Sequence, residues 1–142
     1  MKNQYLRSLF IGLTLICASS SIVFSQQKGE KLAQEAAESW LALADSGKYT
    51  QTWEQAADYF KERVTAEIWE KAVKSVRVPL GKLESRKLTS AQYTKTMPGA
   101  PDGDYVILQF DASYEKKKRA IETVTPMKDK DGKWRVAGYF IK

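Results

Sequence analysis

Glu122 is the residue whose type and setting most suggest chemistry. It sits in Ala120-Ile-Glu-Thr-Val124, where a period of two puts its carboxylate on the side that carries Ala120 and Val124. A carboxylate on an apolar side that opens on a cavity is desolvated, which suits a base or a hydrogen-bonding anchor. The simpler reading is a salt bridge to Arg86 or Arg135 on a neighbouring strand. Arg77 and Arg86 flank the corner Pro79-Leu80-Gly81. Their guanidinium groups can fork onto a carboxylate or phosphate, or tie a helical layer to a sheet. Tyr139 is a further polar neighbour. As an enzyme, the chain would use Glu122 as acid/base beside Arg86, Arg135 or Tyr139, in an isomerase or hydratase type of reaction.

Composition removes most other chemistry. The 142 residues hold no His and one Cys, Cys17. Histidine triads, histidine metal sites and zinc sites built from four cysteines or from cysteines and histidines together are excluded. Asp129-x-Asp131-Gly132 looks like part of a calcium loop but lacks the remaining ligands and the closing Glu, so it reads as a turn. No metal and no cofactor is expected. Lys and Arg total 23 against 17 acids, a net charge of +6. Lys116-Lys117-Lys118-Arg119 concentrates that charge at a hairpin tip, where it can touch an anionic envelope surface or simply solvate a turn. No motif interleaves aromatic and basic residues as nucleic-acid binding requires.

The elements that must position these groups fall into two blocks. Before them, residues 1–25 have the layout of a secretory signal: Lys2 and Arg7, the apolar run Leu9–Ala18, then small residues up to a cut after Ser25. That run is shorter than the roughly 20 apolar residues of a spanning helix. Retention as an anchor, or lipidation at Cys17, is the alternative. Residues 26–142 then form one domain, periplasmic or secreted, held by its core without a disulfide. Gln26–Gly29 reads as loose. Ala33, Ala36, Ala37, Trp40, Leu41 and Ala44 mark a helix over 30–44, ended by Asp45-Ser46-Gly47. Thr52-x-x-Gln55 reads as a capping box for a second helix through Phe60. A third starts near Thr65 and stops at Val78, because a residue before proline leaves the helical region.

Past Gly81 the period changes to two. Strands are expected over 82–93, 105–114, 119–128 and 134–141, with a Pro/Gly loop at 96–103, a charged turn at 115–118 and a hairpin turn at 129–133. The fold class is therefore α+β: three N-terminal helices packed on a curved four-stranded antiparallel sheet. Trp40, Trp53, Trp69 and Trp134 read as core and layer contacts. Pro98, Gly99, Pro101 and Asp102 form an exposed loop suited to contacts.

The stretches Arg77-Val-Pro-Leu-Gly81, Pro98-Gly-Ala-Pro-Asp-Gly-Asp-Tyr-Val106, Glu122-Thr-Val124 and Asp131-Gly-Lys-Trp-Arg-Val-Ala-Gly-Tyr-Phe-Ile141, with Trp69, Arg86 and Phe110, carry a resemblance. Over most of residues 30–142 the chain resembles a bacterial family of exported proteins catalogued as domain of unknown function 4019. Its layout is also similar to the nuclear-transport-factor-2-like cone, which hosts isomerases and inert binding modules alike and so implies no single activity. That likeness implies pairing of two copies through their sheets. The function expected is a non-enzymatic binding module for a small molecule or protein. It would use the concave sheet face, with Arg77, Arg86, Glu122, Arg135 and Tyr139, and the loop at 98–103.

Overall fold

Four antiparallel strands run in chain order across one sheet: β1 (Leu83–Thr94), β2 (Tyr105–Tyr114), β3 (Lys117–Lys128) and β4 (Trp134–Ile141). The computed structural model describes residues 18–142; the expected leader and Cys17 lie mostly or wholly outside them. Among the described residues no helix is long and apolar enough to cross a membrane. The helices are α1 (Ala18–Asp45), α2 (Tyr49–Glu54), α3 (Asp58–Lys61) and α4 (Ala66–Arg77), and α4 runs into a 3-10 turn, Val78–Leu80. The fold class is the expected α+β, with four helices among the described residues in place of three.

The strand pattern follows from alternation. Val106, Leu108, Phe110, Ala112 and Tyr114 all point inward and are buried. Their partners on β3 are inward too: Phe110 stands opposite Glu122, Leu108 opposite Val124, and Ala112 opposite Ala120. Helix α1 lays Ala33, Ala37, Trp40, Leu41 and Ala44 onto this face, and Trp69 and Val73 of α4 complete the core. The small alanines let the helix backbone approach the sheet closely. Register shifts interrupt the ladders near Leu83, Leu88, Ala112 and Thr125. Each such irregularity bends its strand and increases the local twist.

Four local expectations need correction. Gln26–Gly29 is helical, part of α1. A single glycine costs a helix only about 1 kcal/mol, and Gly29 sits against Trp134, whose ring would be 3.6 Å from an added Cβ. Thr52 does not open a helix. It is buried inside α2, donating its hydroxyl to the Tyr49 carbonyl at 2.6 Å, and the chain breaks after Glu54 before α3 begins. Val78, despite preceding a proline, stays helical at φ −59° and ψ −42°. The stop falls at Gly81, where φ is +75° and an added Cβ would lie 2.7 Å from Glu115 Oε2. Finally, β3 starts at Lys117, so the basic run lies mainly within a strand instead of a turn. The start of α4 is as expected, with Thr65 Oγ1 accepting from the Ile68 amide.

Tyr105 points to the opposite face of the sheet, yet it is buried. Loop residues Met97 and Ala100, with Ala57 and Met127, cover it. The outer face is thus closed at the loop end.

Candidate functional site

Glu122 is fully buried at the centre of β3. Its carboxylate takes four donors. Oε1 accepts from Arg77 Nη1 at 2.8 Å, from the Tyr114 hydroxyl at 2.7 Å and from the Tyr139 hydroxyl at 2.6 Å; Oε2 accepts from Arg86 Nε at 2.5 Å. The two arginines are bridged again on their far side by Asp45. Arg86 Nη1 and Nη2 fork onto that carboxylate at 2.7 and 2.9 Å, and Arg77 Nη2 donates to its Oδ1. Two acids and two guanidinium groups close a ring of alternating charge with no net charge.

Every strand and both long helices contribute. Asp45 ends α1 and Arg77 ends α4. Arg86 comes from β1, Tyr114 from β2, Glu122 from β3 and Tyr139 from β4. Arg77 in the last turn of α4 suits the negative end of that helix dipole. Asp45 faces the same kind of end on α1 unfavourably, which two guanidinium donors offset. Partial burial pushes the Asp45 carboxyl up, but the hydrogen bonds from Arg86 and Arg77 outweigh it and hold it below the usual range.

Both tyrosines are shifted the other way. Loss of water, then the hydrogen bond and charge of Glu122, push the Tyr114 hydroxyl well above 10; loss of water and the Glu122 charge do the same to Tyr139. Groups with folded pKa values raised above the unfolded value add stability that is complete below the unfolded pKa and is lost as pH rises through the folded one. The urea midpoint should therefore hold steady up to about pH 10 and fall beyond it, as unfolded tyrosines ionise and folded ones do not. Tyr114→Phe and Tyr139→Phe should each flatten that decline.

Among the described residues, the space on the helix side of this ring is packed with aromatic side chains. Trp40 packs on Tyr139 with ring centroids 5.2 Å apart and on Trp69 at 6.0 Å, while Phe60 meets Trp69 edge-on at 5.1 Å. The gap among these rings and Val136 does not admit a water molecule. The indole N–H groups of Trp40 and Trp69 are spent on the carbonyl and hydroxyl of Thr52 at 2.8 and 2.9 Å. Trp134 differs: it is half-buried, in an open groove beside Gly29 and Leu32. Among the described residues, no three Asp, Glu, Cys or His side chains gather in a way that would hold a metal ion.

The structure thus brings Arg77, Arg86, Glu122 and Tyr139 together. It leaves Arg135 elsewhere. Arg135 stands opposite Met127, far along β3 from Glu122, and binds Asp129 at 2.8 Å and Asp131 at 2.7 Å across the β3–β4 turn. The loop residues Pro98, Gly99, Pro101 and Asp102 lie at the opposite end of β2 from Tyr114. They are exposed, but their backbone is pinned: the Tyr59 hydroxyl donates to the Gly99 carbonyl at 2.7 Å, and the Tyr105 hydroxyl to the Pro101 carbonyl at 2.6 Å. Asp45 and Tyr114 are the members that sequence reasoning missed. Tyr114 carried a signal, since it shares the inward parity of Phe110 and Ala112. Asp45 carried none beyond its place at a helix end.

A family model described as "Protein of unknown function (DUF4019)" matches residues 36–139. The chain belongs to this family. The DUF4019 match begins inside α1 and ends at Tyr139, so it takes in all six members of the buried ring and the pinned loop. No curated protein and no solved structure matches this DUF4019 chain.

Proposed function

We propose that the chain is an exported, non-enzymatic interaction module that engages a protein partner through its outer surface, centred on the loop Pro98–Asp102. The observation that carries this reading is the state of Glu122. Its oxygens already hold four donors, and packed rings fill the space beside it. A substrate proton would have to displace a guanidinium or a phenol before reaching it, which disfavours the isomerase or hydratase reading. The pinned loop supports the choice of surface. A segment fixed before binding loses little freedom on binding, and an exposed loop that lines no described pocket suits a protein better than a small molecule.

The basic start and apolar run before Ser25 support export to the periplasm or beyond. Helices laid across one face of a bulged meander support the nuclear-transport-factor-2-like reading of the layout, here with its interior filled.

The test is complementation of a deletion strain. Asp102→Lys combined with Pro101→Ser should leave the melting temperature nearly unchanged and abolish function. Glu122→Gln, assayed below its own melting temperature, should retain function. Loss of function in folded Glu122→Gln, with the loop variant active, would restore the enzyme reading.

A further inference from the structure

The outer face of the sheet is open at the β2–β3 hairpin end. The alternation that sends Ala112, Ala120 and Glu122 inward sends Asp111, Arg119 and Ile121 outward. The register sets Lys87, Asp111, Ile121 and Lys142 in one row across the sheet. Phe140 stands in the next row, opposite Thr123. It is 60% exposed, and Ile121 is 36% exposed. Among the described residues none of Lys87, Arg119 and Lys142 is in an ion pair, whereas Lys118 is held by Glu84 at 2.5 Å. The face thus joins free cations to two apolar side chains, with Asp111 and the Lys118-paired Glu84 as its acids.

We propose that this face seats on an anionic lipid surface, with Lys87, Arg119 and Lys142 over the headgroups and Phe140 and Ile121 in the interfacial layer. Lys87, Arg119 and Lys142 are exposed and border one open depression with Ile121, Arg119 lying two residues along β3 from the row that holds the other two. An open, exposed arrangement of this kind suits many anions on a plane. The apolar pair suits the layer beneath those anions. A second copy of this chain would bring the same excess of cations against itself, which like-charge repulsion opposes. The proposal goes beyond the protein-partner reading of the loop and concerns the other end of the sheet. Its test leaves the Glu122 ring and the loop untouched, so the two can fail separately.

The experiment is sedimentation of the full chain with vesicles of phosphatidylcholine alone and of phosphatidylcholine mixed equally with phosphatidylglycerol. Residues 1–17 contribute equally in all variants, so the quantity read is the ratio of anionic to neutral partitioning. Wild type should prefer anionic vesicles. Lys87→Gln and Arg119→Gln should each lower that ratio about fivefold, and Phe140→Ser should weaken binding to anionic vesicles. These side chains are exposed, and unchanged melting temperatures would confirm that the variants fold. A ratio unchanged in the Lys87→Gln, Arg119→Gln double variant would overturn the proposal. So would a concentration-dependent dimer that Phe140→Ser dissociates, since the face would then pair two copies.

Discussion

Glu122→Ala is expected to cost about 3–5 kcal/mol of folding stability. Removing the carboxylate leaves Arg77, 5% exposed, and Arg86, 12% exposed, sharing only Asp45. It also strands the hydroxyls of Tyr114 and Tyr139, which then keep Arg77 Nη1 as a donor to them but lose their acceptor. Uncompensated buried charge, not lost contact area, dominates the expected cost. Glu122→Gln keeps the shape but leaves the same charge uncompensated and places an amide N–H₂ against donors, so a loss of the same order, about 3–5 kcal/mol, is expected. Replacing the whole ring with apolar side chains of similar volume should recover part of the loss, because two buried ion pairs need not beat well-packed hydrocarbon. Urea unfolding followed by circular dichroism measures all three. Against a usual total of about 5–15 kcal/mol, the alanine variant should be marginally folded.

Trp40→Ala should be comparably damaging, about 3–5 kcal/mol. The indole is 4% exposed, contacts the rings of Tyr139 and Trp69, and donates to the Thr52 carbonyl. Its loss opens a cavity where no water now fits and leaves a buried carbonyl without that partner. It also frees Tyr139, whose hydroxyl is one of the four donors to Glu122. Trp134→Ala is the control: a half-buried ring at the groove beside Gly29 should cost clearly less. Similar losses at the two positions would mean that the aromatic wall around Tyr139 does not support the ring.

Much of this arrangement was legible because strands write burial with a period of two. Glu122 and the inward set of β2 follow from alternation, and Arg86 as its partner follows from a meander. Arg77 was legible only as a residue beside a corner, because helix periodicity does not say which strand lies across from a helix end. Asp45 was hidden for the same reason. Arg135 is not a partner of Glu122 because two acids at its own turn, Asp129 and Asp131, hold its guanidinium. The hollow was the largest error of expectation. A bent sheet on helices commonly shelters a pocket, but Trp40, Trp69 and Phe60 converge to fill this one, and convergence from three helices is not written in any local pattern. The helix boundaries failed where tertiary contacts override local signals, as at Thr52, whose capping motif is spent inside the core.

The most direct measurement is a double-mutant cycle between Glu122 and Arg77, using Glu122→Gln, Arg77→Met and the pair, with unfolding free energies in urea. A buried ring that ties helices to sheet predicts a favourable coupling of about 1–3 kcal/mol. Losses that add to within about 0.5 kcal/mol would contradict it, and would return Glu122 to the status of a carboxylate held ready for chemistry.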